Sequence, residues 1–538
     1  MRPSPKVVAA LVTLPLALAA CGGGGTSSTP AAPSSIASAS ADHRPVKSGG
    51  TLNIALNADP DALDPSSSTT LVGREVFANM CEKLYDIDAS SALVPQLAAA
   101  MPELSGDGRE VTIKLREGVK FNDGTPFDAA AVKKSLDRHR TWEKSARAAD
   151  LAAVSEVTVV DPATVKLTLK QAFTPLTAQL ADRAGMIMSP KALESEGDNF
   201  GANPVCVGPF AFAGRTSGSQ ITLEKAADYY DAAKVKLDKL VYKIIVDPNV
   251  RAANLKSGDV HVADQLATNT VKGVQDDPNL SVVAGGGLGY YGFQINIGNV
   301  KGSTEKPGEV DTPLGKSPQL REAFELSLDR DAINKAVYNG LHEVDCFPVP
   351  VDSPYRPKDL TCPKRDLAKA KQLVQASGVP TPVPVTLATP NDAVNQRLAQ
   401  VIQSMAKEAG FNVTVQTAEF VSVLEQGKAG TFDVLLSGWS GRVDPDGNLT
   451  NLVTTQGSNN YAGMSDPGID EPVSQAAAET DPAKRAELYG AAMKKAAELR
   501  GVVYLYHNKY YLGTHKTVAG IQYFQDGLPR FVTAGFAA

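Results

Sequence analysis

Histidine and cysteine are scarce in this chain of 538 residues, with six of the first and five of the second. No His-Glu-x-x-His helix, no Cys-x-x-Cys and no mixed Cys/His spacing occurs, so the common zinc sites have no sequence support. Charge of one sign is also lacking. There are 53 basic and 59 acidic residues, a net of -6. Without a basic stripe, nucleic acid is not an expected partner. Enzyme motifs fail at single positions. "GEVDTPLGKS" lacks the first glycine of a phosphate loop, because Val310 stands there. "GWSGR" puts Arg442 where a nucleophile elbow needs its second glycine. "DPDGN", counted from Asp444, has Gly447 fourth and Thr455 twelfth, whereas a calcium loop needs Gly sixth and Glu twelfth. Two aspartates flanking a proline are a commoner turn device than a glycosidase dyad. No enzyme, metal or cofactor is expected.

The long apolar run is confined to the start. In "MRPSPKVVAALVTLPLALAACGGGG", Arg2 and Lys6 precede an apolar stretch from Val7 to Ala20. That stretch is too short for a spanning helix, which needs about 20 apolar residues, and it has the layout of an export signal. Its end, Leu18-Ala19-Ala20-Cys21, resembles a bacterial lipobox, in which the cysteine thiol is acylated and the leader is cut before it. Residues 1–20 are thus expected to be a lipoprotein signal peptide. Residues 21–48, rich in Gly, Ser, Thr, Ala and Pro, are expected to be a flexible tether. This describes an extracytoplasmic protein held at the outer face of the plasma membrane, or in a periplasm. Four cysteines remain: Cys81, Cys206, Cys346 and Cys362. An even number in an exported chain favours disulfides over buried free thiols. Three pairings exist; Cys81–Cys206 with Cys346–Cys362 is preferred, the second pair flanking the Pro-rich "CFPVPVDSPYRPKDLTC".

Periodicity places the elements. Thr51 to Leu56 alternates as a strand, and "LVGREVFANMCEKLYDID" reads as an amphipathic helix. "EVTIKLREGVKF", "VSEVTVVD" and "TVKLTLK" alternate as strands around the helix "DAAAVKKSLDRH", with Asp128 as N-cap. Residues 83–220 therefore read as an α+β unit. From about residue 301 strands and helices alternate: "VPVTLAT", "NQRLAQVIQSMAKEAG", "NVTVQTA", "FVSVLEQGKAG", "FDVLLSGW". This is an α/β sheet covered by helices. "SGWSGRVDPDGNL" lies just beyond the last strand, at the carboxyl end where open sheets bind ligands.

Five segments in order resemble the extracytoplasmic solute-binding proteins of ABC importers, in the peptide/nickel-binding class. They are "GGTLNIALNADPDALDP", "REGVKFNDGTPFDAAAVKKSL", "NPVCVGPFAF", "LREAFELSLDRDAINKAVYNG" and "FDVLLSGWSGRVDPDGNL". The resemblance implies an α/β, periplasmic-binding-protein-like (Venus flytrap) fold of two lobes, with an extra α+β subdomain in lobe I. Lobe I would span 49–298 with the inserted unit at 83–220, lobe II 299–505, and 506–538 would return to lobe I. The chain would cross near "GFQINIG" and "VVYLYHN". It would act as a monomer that delivers a small-molecule or peptide ligand to the permease, whose partners are cytoplasmic ATPase subunits. A surface sensor, or a binder of an opine, oligosaccharide or metal chelate, is the alternative. The cleft would be lined by Asp59 and Asp61, by Tyr291, Phe293 and Asn296, by Trp439, Ser440, Gly441, Arg442 and Asp444, and by Asn460 and Tyr461. In peptide-binding relatives an aspartate commonly follows the Trp-x-Gly of this loop and pairs with the peptide ammonium. Here Arg442 follows, so the charge is reversed and an anionic ligand group is expected. Asp444 and Asp446 otherwise read as turn residues.

One acyl chain holds a protein only marginally to a membrane and two hold it stably. Cys21→Ser is expected to release the protein into the medium or to block processing, read by membrane fractionation and lipid labelling. Unchanged retention without label would refute the anchor.

Overall fold

The computed structural model describes residues 42–303 and 305–538. The expected signal peptide at 1–20, Cys21 and the tether up to residue 41 lie outside the described residues.

Strand β1 (Thr51–Leu56) buries Leu52, Ile54 and Leu56 completely, as its alternation predicts. Helix α1 (Leu71–Phe77) follows a loop. The α+β unit is a four-stranded antiparallel sheet of β2 (Glu103–Leu104), β3 (Glu110–Lys114), β4 (Val154–Asp161) and β5 (Thr164–Leu169), in the order β2-β3-β5-β4. Helix α2 (Ala129–Thr141) starts where the Asp128 side chain accepts from the Ala131 N–H. This unit has its own core around Ile113, Phe121, Val132 and Leu167. The chain continues through β6 (Phe210–Thr216), β7 (Gln220–Lys225), β8 (Lys239–Ile244), helix α3 (Pro248–Ser257) and β9 (Val262–Ala263). Strand β10 (Leu280–Ile295) leads to the second half. That half comprises helices α4 (Pro318–Leu326), α5 (Arg330–Tyr338) and α6 (Leu367–Ala376), then β11 (Val383–Pro390), α7 (Ala393–Glu408), β12 (Phe411–Ala418), α8 (Phe420–Ala429) and β13 (Val434–Trp439). Helices α9 (Asp446–Val453), α10 (Pro467–Ala478) and α11 (Pro482–Leu499) precede strand β14 (Val502–His515).

One eleven-stranded sheet joins the halves in the order β12-β11-β13-β10-β14-β9-β1-β8-β7-β6, with a short strand at Glu343–Val344 pairing on β14. Strands β10 and β14 run antiparallel through both halves, from Leu280 opposite His515 to Gln294 opposite Val502. At one end Val283 and Leu512 pack on a core with Leu52, Phe77 and Phe210. At the other, Phe293 and Val503 pack with Phe324, Leu387 and Ile402. The two-stranded crossing is thus the hinge between two lobes.

The expected crossing position is corrected by the structure. Phe293, inside "GFQINIG", already lies within the second core. The register of β10 against β14 breaks earlier, between Gly286 and Tyr290. Gly286 has φ 84° and Gly287 φ 124°, conformations that side-chain-bearing residues rarely adopt. The run "GGGLG" therefore supplies the bend.

Both preferred disulfides are present. Cys81–Cys206 spans a sequence separation of 125 within the first core, and Cys346–Cys362 one of 16 in the second lobe. Loop-closure entropy gives about 3 kcal/mol for the short loop and between about 4 and 5 for the long one. The Cys81→Ala/Cys206→Ala variant is therefore expected to lower stability more than Cys346→Ala/Cys362→Ala, measured by urea denaturation.

Candidate functional site

Helix α1 carries the first half of the site. The Thr70 side chain caps it by accepting from the Gly73 N–H, and six of its seven residues are buried, Arg74 and Glu75 among them. The sequence suggests a longer helix with one wet face. The structure ends it at Phe77, because Cys81 is tied to Cys206 and Tyr85–Ile87 pairs as a strand. A charged pair buried within a short helix needs partners. Arg74 Nε donates to Asp182 Oδ1 at 3.0 Å.

Asp182 gathers further guanidinium groups. Arg183 Nε is 3.8 Å from it, and Arg183 Nη1 donates to the carbonyls of Ser68 and Thr70. Arg147 lies close by, paired with Asp150 at 2.9 Å. From the second lobe Arg442 reaches across, its Nε 3.2 Å from Asp182 Oδ2. Burial opposes ionisation of Asp182, but the charges of Arg74, Arg442, Arg183 and Arg147 hold its pKa well below the usual carboxylate range. Burial brings Arg442 down to about 10, with Asp182 opposing. Burial and the charge of Arg147 also lower Arg183 strongly. Four guanidinium groups thus face two carboxylates, an excess of two positive charges. Arg74 Nη1, Arg147 Nε and Arg183 Nε have no hydrogen-bond partner among the described residues. Such a group of donors suits a carboxylate or phosphate.

The Arg442 loop is held by three devices. Asn448 Oδ1 accepts from the Trp439 indole at 3.0 Å and from the Arg442 N–H at 2.8 Å, and Asn448 Nδ2 donates to the Arg442 carbonyl. Gly441, at φ 79°, abuts β10 so closely that a Cβ would lie 2.1 Å from the Leu288 carbonyl carbon. The guanidinium sits 4.8 Å over the Trp439 ring and donates to Ser440 Oγ at 3.2 Å. Trp439, Ser440, Gly441 and Arg442 therefore come together at the lobe boundary. A cavity of about 350 Å³ opens beside them, lined by Ser91, Ala178 and Gln525 from one lobe and by Tyr355, Val443 and Asp444 from the other. A second inter-lobe contact lies apart from this cluster: the Thr174 N–H and hydroxyl both donate to the Ala477 carbonyl, at 2.7 and 3.1 Å.

The other expected cleft residues are placed elsewhere. Asp59 pairs with Arg215 at 2.8 Å and accepts from the Gly218 N–H, pinning the β6–β7 turn. Asp61 accepts from Ser68, Thr69 and Thr70 within its own loop. The Tyr291 hydroxyl donates to Asn395 at 2.5 Å, and its ring stacks on Tyr506. Phe293 is wholly buried edge-to-face against Phe324. Asn296 bonds the backbone of Asn299, Gly298 and Gly430, and Asn460 that of Thr454 and Met464. Tyr461 is buried against Gly427. Asp444 is not among those placed elsewhere: it stays on the cavity wall, pairs there with Arg485 at 2.8 Å and accepts from the Asp446 N–H, as a turn residue does. Asp345, Cys346 and Cys362 cluster like metal ligands, but their sulfurs are bonded to each other.

Burial, and then the charge of Asp444, push Asp446 up to about 6 from 3.8. The folded state thus holds this proton more tightly than the unfolded chain, so ionisation costs stability above pH 6 and the cost vanishes toward pH 4. Asp446→Asn is expected to stabilise the protein by about 3 kcal/mol at pH 8 and to be nearly neutral near pH 4, read by denaturant unfolding at both pH values.

Comparison with known proteins agrees with the two-lobe fold. The family model described as bacterial extracellular solute-binding proteins, family 5 middle, matches residues 92–461. A glutathione-binding protein of Pectobacterium atrosepticum is 28% identical over 497 residues, covering 89% of this chain and 93% of the relative. The binding protein AgaA from A. tumefacien R10, solved with agropinic acid, superposes with a TM-score of 0.77 at 28% identity, covering 91% of this chain and 99% of that one. The oligopeptide-binding protein AppA of Bacillus subtilis, solved with a nonapeptide, shares the fold with a TM-score of 0.80 at 22% identity, over 92% and 100% of the two chains. With the family model matching more than half of its length, the chain belongs to the bacterial extracellular solute-binding proteins, family 5.

Proposed function

We propose that this protein captures a peptide-like solute bearing an anionic group between its two lobes and hands it to the permease of an ABC importer. It works as a monomer, anchored outside the membrane through acylated Cys21. In this scheme lobe I runs from 49 to the bend between Gly286 and Tyr290, rather than to 298, with its insert at 83–220; lobe II follows as far as the returning strand β14, and the C-terminal residues complete lobe I. One observation carries the choice of ligand class: Arg442 of the second lobe meets Asp182, Arg74, Arg147 and Arg183 of the first, with two positive charges in excess. A carboxylate entering there would pair with donors that now lack partners. The glutathione-binding relative and the agropinic acid complex support an acidic ligand, peptide or opine, over a neutral glycan. Trp439 provides an apolar wall beside the charge.

Solute released from the purified protein and identified by mass spectrometry is expected to carry a carboxylate or phosphate. Losing a charge-assisted pair in a partly dry cleft costs about 1.5–3 kcal/mol, tenfold or more in affinity. Calorimetry on Arg442→Ala with the released solute should show that loss. Unchanged affinity, or a solute without an anionic group, would overturn the proposal.

A further inference from the structure

Glu75 follows Arg74 on α1 and, about 100° further round the helix, points elsewhere. It meets Asp264 and Gln265, just past the carboxyl end of β9. Asn57 stands just past the end of β1, the parallel neighbour of β9. This edge of an open sheet is where ligands bind.

Glu75 and Asp264 are both fully buried. Gln265 Nε2 donates to Glu75 Oε1 at 3.0 Å, and the two carboxyl groups lie within hydrogen-bonding reach of each other and of Gln265. Glu75 Oε2, Asp264 Oδ1 and Oδ2, Asn57 Oδ1 and the Tyr523 hydroxyl have no hydrogen-bond partner among the described residues. The neighbouring arginines make their hydrogen bonds to other groups, although Arg74 Nη1 and Arg251 Nε have no partner among the described residues. Arg74 donates to Asp182, and Arg251 donates to the carbonyls of Ile245, Val246 and Gln265. Gln265 is held at φ 44°, a left-handed conformation that is strained for a side-chain-bearing residue. Its Oε1 accepts from Asn57 Nδ2 at 3.0 Å, which locks the amide toward Glu75. Two buried acids without a cation are costly, and here unpartnered acceptors cluster on one side of α1 as unpartnered donors do on the other.

We propose that Glu75, Asp264 and the Asn57 side-chain oxygen form a subsite for an ammonium group of the captured solute. The solute is then zwitterionic, with its anionic group at the arginines, and this assignment rests on the capture reading above. Burial raises the pKa of both acids; the charge of Asp264 raises Glu75 further, whereas the hydrogen bond with Glu75 opposes the rise at Asp264, so in the free protein the pair holds one proton between them. The groups facing them are Arg74, Arg251, Tyr242, Tyr510 and Tyr523. An arriving ammonium replaces the shared proton, which leaves to solvent.

Glutathione and a set of acidic dipeptides, each beside its N-acetyl derivative, serve as probes in calorimetry on the whole protein. The amine-bearing members should bind at least tenfold more tightly. Glu75→Gln and Asp264→Asn should each abolish that preference, bringing the amine-bearing members down to the level of their N-acetyl derivatives. Wild-type binding in two buffers of different ionisation heat should show about one proton released. N-acetyl probes that bind as tightly, a preference that survives both substitutions, or binding without proton release would overturn the ammonium subsite and leave the capture reading standing. Failure of every probe, with a released solute that lacks an anionic group, would overturn both. Both substitutions keep shape and put an amide donor where the shared proton was, so the melting point of the free protein should hold. If a variant misfolds instead, the wild-type proton count decides.

Discussion

The ion pair between Arg442 and Asp182 is the constraint on which the rest turns. Either lobe alone can keep its charges hydrated. Bringing the lobes together moves a fourth guanidinium beside Arg74, Arg147 and Arg183, with Asp182 and Asp150 as counter-charges. Burial first, and the neighbouring guanidinium charges after it, depress the pKa of Arg442 and Arg183. A ligand that adds negative charge relieves this crowding most where the lobes are closed. Differential affinity for one state is all that a closing mechanism requires.

The hinge lets that affinity become motion. Strands β10 and β14 keep their hydrogen bonds on both sides of the bend, and the register shifts twice, between Gly286 and Tyr290 and again between Tyr291 and Gly292. Gly441 packs against Leu288 in this same segment. The loop that carries Arg442 is therefore attached to the bending point itself, and a change of angle there alters the reach of its guanidinium.

Much of the fold was legible because it rests on local signals. Thr51 to Leu56, the Asp128 cap and the β11-to-β13 alternation follow from periodicity and capping, and the structure has them. The site was legible only at its one distinctive loop. Trp439 to Arg442 stands at a strand end, where pattern and topology agree. Tyr291, Phe293, Asn296, Asn460 and Tyr461 share a polar-aromatic look with ligand residues, but burial and backbone bonds, which depend on distant segments, hold them in the second lobe. Arg147, Asp182, Arg183 and Asp264 carry no local signal, since their partners lie far along the chain. The doublet Arg74-Glu75 was the one available clue. Charges set among Val72, Val76 and Phe77 in so short a helix cannot all face water.

Thr174 touches Ala477 through a hydroxyl and two main-chain groups, without any formal charge. Together with the strand crossing and the arginine cluster it fixes three separate points between the lobes, enough to set one angle. A solute with suitable charges but too much bulk props this third point open while still satisfying the arginines. Salt screens buried charges little, so the limit on bulk set by this third point acts beside the charge requirement at any ionic strength.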